Sequence, residues 1–413
     1  LRRELPPMIR ALGNHNYRLW ATADFVSVTG TWMQVLGLNW VVMARTGSAT
    51  SVGLSVLLST LPALLVGPWA GAIADRFPPR RIILAGQTTH LVIALLLAVM
   101  VWQDMPLAGI YGLTAVAGLV GAFESPALGR FAGQVVPRHD LGNALALGSI
   151  VNSAGRVLGM SLAGVLAAAV GDALLFALNA ASFVAVIVTV LVIRTAELHP
   201  LAVARAERAG VRAGLAYVRR SHVLIVLFTL GFVLSGLGRN YQVTMAAMAQ
   251  GPLNSGAAGY GLLSSVFAVG TVIGGVIAAR VRELTLPLLL GAAAVTSFLQ
   301  SVSGFLPGML GFGAVILPIA AGAVLIDTAK STRLQLDSAE DMRGRVLSID
   351  GAVAAAAGAT GAPLLGWMCE RFGASEALLV AGVVTLAATG VATLALQRAR
   401  RQVVEPVLAT SPA

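Results

Sequence analysis

Cysteine is almost missing from the chain: Cys369 is the only one in 413 residues. That excludes an intramolecular disulfide and any cysteine-rich metal centre. Charge is also scarce, since Asp, Glu, Lys and Arg make up 11% of residues against about 25% in an ordinary soluble domain. Several chemical signatures are absent as well. No glycine-rich loop ends in the Lys-Ser or Lys-Thr that cradles nucleotide phosphates, so nothing points to ATP as an energy source. No His/Cys spacing suits a metal, and no nucleophile elbow is present. The sequence therefore predicts no cofactor and no enzymatic reaction. The opening LRRELPPMIRALGNH has no apolar region of the signal-peptide type, so the first span is expected to act as its own insertion signal.

Apolar residues fill the space that charge leaves. Hydrophobic residues account for 57% and the mean hydropathy is +0.84, the composition of an integral membrane protein. The net charge of +10 raises the question of nucleic acid. The arginines, however, are scattered between apolar runs, a pattern of loop topology rather than of a phosphate-binding face, and no nucleic-acid partner is expected.

A hydrocarbon core about 30 Å thick takes about 20 apolar residues to cross. Runs long enough lie at 19–43, 51–74, 82–102, 107–128, 143–170 and 172–194, and again at 222–246, 256–279, 284–305, 307–327, 345–368 and 375–396. The fold class predicted is all-α integral membrane, with twelve transmembrane helices as two pseudo-symmetric six-helix bundles. The expected divisions are 1–194, a cytoplasmic linker at 195–221, a second bundle at 222–397 and a cytoplasmic tail at 398–413. With the N-terminus inside, 24 arginines and lysines fall on the cytoplasmic side and two, Arg45 and Arg371, outside; Arg156 and Arg239 fall within spans. By the positive-inside rule both termini are expected in the cytoplasm of a multi-pass cell-membrane protein.

The two halves also correspond residue by residue. Gly30 and Gln34 recur as Gly238 and Gln242, at an offset of 208. Gly71 and Arg76 recur as Gly275 and Arg280, at 204, in GAIADR against GVIAAR. Glu124 and Arg130 recur as Asp327 and Arg333, at 203, and Gly159 and Gly164 as Gly361 and Gly366, at 202. An offset that drifts slowly in one direction means a duplicated six-helix unit with small deletions. Two such halves imply alternating access to a site near the midplane.

One stretch, GAIADRFPPRR from Gly71 to Arg81, crowds an acid and three arginines (Arg76, Arg80, Arg81) between two apolar spans. Two readings stand. It is a positive-inside anchor, or it is a structured latch in which Asp75 holds a partner. An anchor alone needs neither the Gly nor the acid.

The same stretch resembles the loop 2–3 signature of the major facilitator superfamily, G-x-x-x-D-R-x-G-R-R, with Pro78 where the signature has Gly. RVLGMSLAG, Arg156 to Gly164, resembles the fifth-helix motif of its bacterial efflux members, usually RVLGPALAG, with Met160 replacing Pro. NYRLW, GTWMQ, AGYGLLSS and MRGRVLS are similar to the drug- and siderophore-exporting branch that includes the enterobactin exporter. Where that branch has acid-x-Pro-x-Arg-Gln at the end of helix 4, this chain has Glu124, Ser125, Pro126, Ala127, Leu128 and Gly129, with Arg130 following.

The resemblance implies a secondary transporter exporting an amphipathic small molecule (a drug, secondary metabolite or siderophore) by proton antiport, as a monomer in lipid. An importer or lipid-handling permease of the same fold, and a scaffold or sensor without transport, are the alternatives. The latch would pair Asp75 with Arg130 and with the helix-11 N-terminus near Arg343 and Arg345, supported by Glu124, Asp327 and Arg333. Asp24 is the candidate coupling carboxylate, with snorkelling to the inner interface as its alternative. In the family that this chain resembles, helices 1, 4, 7 and 10 line the cavity. Gln34, Arg239, Asn240 and Gln242 are then candidate lining residues, and Arg156 either lines the cavity or pins helices together. Gly159, Gly164, Gly361 and Gly366 are candidate helix-packing positions. His90 reads as a packed or interfacial histidine.

Overall fold

A computed structural model describes residues 7–199, 210–340 and 342–409. Among the described residues there is no strand. In the first half, after a short 3-10 turn at Pro7–Gly13, run α1 (His15–Thr46), α2 (Ala49–Arg76), α3 (Pro79–Trp102), α4 (Leu107–Gln134), α5 (Leu141–Val170) and α6 (Ala173–Val192). In the second half lie α7 (Gly210–Arg220), α8 (His222–Leu237), α9 (Tyr241–Gln250), α10 (Gly256–Arg280), α11 (Leu286–Ser303), α12 (Gly308–Leu336), α13 (Arg343–Phe372) and α14 (Ala374–Ala409).

Among the described residues, eleven spans are both long and apolar enough to cross a membrane, with α8 and α9 counted together as His222–Gln250. Helix α1 has 32 residues, about 48 Å at 1.5 Å each, and completes twelve. Asp24, Gln34 and Asn39 dilute its hydropathy, which is why length rather than apolarity marks it. The seventh span is not the continuous helix expected at 222–246. It breaks over Gly238, Arg239 and Asn240, where Asn240 takes up freed backbone by donating to the carbonyl of Gly236 at 2.7 Å. Helix α14 continues to Ala409, through residues expected as tail. The stretch 200–209 of the expected linker, with Arg205 and Arg208, lies outside the described residues.

The duplication extends to packing. In the first half α1 packs on α5 and α6, and α3 on α4 and α6. In the second, α8 packs on α13 and α14, and α11 on α12 and α14, the same pairs shifted by one repeat. Helices α5 and α13 also end alike, at Gly171 (φ +90°) and Gly373 (φ +99°), again 202 residues apart. Both glycines sit in a backbone region where L side chains are strained. By contacts, the chain forms two compact units. The first comprises Leu1–Gly47, Leu54–Ala204 and Ser255–Ala268; the second comprises Ser48–Gly53, Arg205–Asn254 and Val269–Ala413.

Each unit carries its own core. In the first, Trp20 meets Phe131 edge-on at 5.0 Å, within a cluster that includes Ile83, Val186 and Val190. In the second, Leu224, Leu227, Leu289, Leu334 and Val346 form the equivalent cluster. Polar groups fasten the loop end of the first unit. Asp140 accepts from Arg10 Nε at 2.6 Å and from Asn14 Nδ2 at 3.1 Å. Asn16 exchanges two hydrogen bonds with the backbone of Arg194.

Candidate functional site

Within the first unit, α1 to α6 surround a cavity of about 460 Å³. Its size lies in the range of small-molecule sites. Trp20, Trp32 and Phe183 supply aromatic wall, while Asp24, His90 and Glu124 supply titratable groups. Glu124 is 3% exposed. Its Oε1 accepts a hydrogen bond from Gln87 Nε2 at 2.8 Å, and its Oε2 lies 3.3 Å from His90 Nε2. His90 stacks on Phe183 with ring centroids 5.4 Å apart. Arg130 stands six residues on, nearly two turns further along the same helix. Gln34, another expected lining residue, does border this cavity and accepts from Asn179 Nδ2 at 2.9 Å. Arg156 sits over the Trp32 ring at 5.6 Å, a cation–π arrangement.

The second unit arranges its charges otherwise. Arg239, at the break between α8 and α9, pairs with Asp327 of α12 and donates to the carbonyl of Ala323 at 3.2 Å. Lys330 lies 2.9 Å from Asp350 of α13 and is 6% exposed. Lys330 lies beyond the expected span end at 327 but still on α12, which extends nine residues further, to Leu336. Arg333 pairs with Asp337, one turn on, at 2.5 Å. The space bordered by Arg239, Asp327 and Lys330 is about 10 Å³, roughly one water. Asn240 turns back onto the end of α8, and Gln242 is the second residue of α9, after Tyr241.

At the foot of α2, Arg130 Nη1 donates to the carbonyl of Ala74. Arg80 Nη2 donates to the carbonyl of Leu191 at 3.2 Å. Gly71 lies within α2, five residues before that helix ends at Arg76, and Arg81 stands in the first turn of α3. The side chain of Asp75 lies outside the described residues. Arg345 packs against Gly214 of the linker helix α7. At the four glycines, a Cβ on Gly159 would collide with the Thr29 carbonyl and one on Gly361 with the Gly236 backbone. One on Gly164 would meet Gly261, and one on Gly366 the backbone of Ala49 and Thr50. Four repeat-related positions thus permit backbone-to-backbone approach.

Gln87, Lys330 and Asp350 were not singled out in the sequence. Each is a polar residue within an apolar helix, the one signal that would have found them.

Comparison with known proteins fits this architecture. The chain is 26% identical over 415 residues to the multidrug efflux pump Tap of Mycolicibacterium fortuitum, covering 92% of this chain and 95% of that protein. It is 20% identical to macrolide efflux protein A of Streptococcus pyogenes, covering 90% and 93%. A shorter match, 25% over 149 residues, is to the staphyloferrin A transporter of Staphylococcus aureus and spans 36% of this chain and 38% of that one. Among solved structures, the nucleoside transporter NupG superposes with a TM-score of 0.74 at 10% identity, over 92% of this chain and 99% of that one. A bacterial homologue of the human lysosomal transporter Spinster gives 0.73 at 13%, over 92% and 96%. Residues 9–406 match the family described as transmembrane secretion effector, and the chain belongs to that family, in the drug- and siderophore-exporter branch of the major facilitator superfamily.

Proposed function

We propose that this transporter exports an amphipathic small molecule across the cell membrane by alternating access, in exchange for protons. The observation that carries the reading is the setting of Glu124. Burying a carboxylate without a counter-charge costs several kcal/mol, so such groups are paired or neutralised. The cation beside Glu124 is an imidazole, itself charged only when it holds a proton. The pair is therefore neutral overall only with one proton aboard, on either member. Asp24 borders the same cavity and is the second carboxylate able to take part. A carboxylate–imidazole pair whose net charge depends on a proton, and which borders a ligand-sized cavity, links the two. Arg156, the described cation on α5 nearby, is engaged over Trp32.

Export in this sense places both termini and the α7 linker in the cytoplasm, with lipid around a monomer. Asp75, at the end of α2, then biases the equilibrium between access states by whatever interaction it makes in only one of them. Cysteines placed at Gly47 and Asp104 should label from outside the cell, and one at Ala206 should not. Cys369 is buried and gives little background.

The deciding experiment uses inside-out vesicles with an imposed pH gradient and a panel of amphipathic compounds. Accumulation that collapses with the gradient is expected. Absence of gradient-driven movement for every compound, with the protein folded and inserted, would sink the proposal.

A further inference from the structure

The second unit carries a groove larger than the cavity of the first. It lies between α11 and α14 and holds about 610 Å³, and its lining is apolar apart from Thr389, Thr393 and Gln397. Gly291 and Gly390 line it and are exposed, and a Cβ on either would meet nothing. These two glycines do not bring backbones together, as Gly159 and Gly361 do. What they keep is open space. On α14 the lining runs from Leu386 to Gln397, about 17 Å along the helix. That is close to the depth of one leaflet, half of a hydrocarbon core about 30 Å thick.

Charge stands at one end of the groove only. The end formed by Leu286 and Gln397 is flanked by Arg280 and Arg282, just before α11, and by Arg398 on α14, all exposed. Glu283 is the acid on that rim, which leaves it net positive. Among the described residues neither Arg282 nor Arg398 has an ion-pair partner. Around Ala294 and Leu386, at the far end, neither helix has a charged residue within a turn. An apolar trough one leaflet deep, with free guanidinium groups at its mouth, fits a ligand with an apolar chain and an anionic head.

We infer that this groove holds an anionic phospholipid from the leaflet on the arginine side. One acyl chain lies against Gly291 and Gly390, and the phosphate sits beside Arg282 and Arg398. A second copy of the chain fits worse. Two copies in one bilayer share an orientation, so a symmetric contact through this groove would set the same arginines against each other. The first half provides a comparison. Counted from Gly171 and Gly373, Val188 and Leu191 stand where Gly390 and Thr393 do, and both are exposed. Arg80 and Arg81 open the neighbouring α3. That face has arginines at its edge but bulky side chains in place of the glycine and threonine.

The test uses the full chain in vesicles with a trace of phosphatidylglycerol or phosphatidylcholine, each carrying a diazirine in one acyl chain. After illumination the labelled peptides are mapped by mass spectrometry. The phosphatidylglycerol probe should mark 286–294 and 386–397 about tenfold more than the phosphatidylcholine probe, the worth of one to two arginines near an anionic headgroup. The face with Val188 and Leu191 should show a clearly smaller preference. Arg282→Gln/Arg398→Gln, at two exposed positions, should make the probes nearly equal in the groove. Gly390→Leu should lower marking of the groove by both probes and leave the first half unchanged. The comparison of the two faces on the natural chain decides even if a variant does not fold. Equal marking of the groove by both probes, or the same preference on both faces, would mean that bulk lipid or edge charge suffices and would overturn the site. An unmarked groove, with Gly390→Cys cross-linking between copies, would give it to a second copy instead. The export reading stands or falls separately, on transport.

Discussion

Glu124 and Asp327 occupy the same position in the two halves, 203 residues apart, and their surroundings are opposite. Glu124 is 3% exposed, yet its nearby cation is a histidine, and it borders a cavity of about 460 Å³. The Asp327 side chain is 47% exposed and still has a permanent cation, Arg239, in a space of about 10 Å³. The acid in greater need of a fixed counter-charge is the one without it. Duplication has kept the helix pairing and the glycine contacts, and it has let the charges diverge. In this comparison the first half keeps an open cavity beside a carboxylate–imidazole pair, and the second braces itself with fixed ion pairs.

The largest effect expected is on the brace. Lys330→Met leaves the largely buried Asp350 without its ion-pair partner, with Arg239 as the remaining cation facing it, and should destabilise the protein by about 3 kcal/mol. The double variant Lys330→Met/Asp350→Leu should recover most of the loss, read as thermal unfolding in detergent. A single variant as stable as the natural chain would show that the pair is not a brace.

Next comes packing, where the halves should behave alike. Gly159→Ala and Gly361→Ala each press a methyl into backbone and should each cost about 1–3 kcal/mol. A large cost in one half and none in the other would mean that packing has diverged too.

The smallest expected change in free energy separates the two acids by function. Glu124→Gln should lower gradient-driven transport at least tenfold, about 1.4 kcal/mol on the rate, while folding holds because the amide can still face Gln87. Asp327→Asn, losing a half-exposed pair, should cost about 1 kcal/mol of stability or less and change transport only a few-fold. Equal transport by the two variants would erase the distinction between the halves.

Much of the fold was legible in the sequence because the bilayer imposes a length, and runs of about 20 apolar residues answer to it. Repeat offsets made the duplication visible before any packing was known. The break at Gly238–Asn240 was hidden because apolar residues continue on both sides of it and hydropathy does not register a lost backbone hydrogen bond. The site was legible only in part. Asp24, Gln34 and Glu124 stand out as polar residues in apolar helices. The partnership of Glu124 with Gln87 and His90 does not, because helices apolar all round give no face by periodicity. The length of α12 was hidden as well: Lys330 and Arg333 lie beyond the apolar run that ends at 327, on helix that continues to Leu336.

The Lys330–Asp350 pair also constrains how the protein can evolve. Losing either member alone strands a buried charge, whereas losing both at once is tolerable. Each position is therefore closed to single-step change. A lineage leaves this arrangement only through a less stable intermediate or after gaining stability elsewhere, so the two residues are expected to persist or disappear together among descendants. The cavity of the first half has no such interlock. Its aromatic residues can change one at a time, which leaves the wall of that cavity freer to diversify than the braced half.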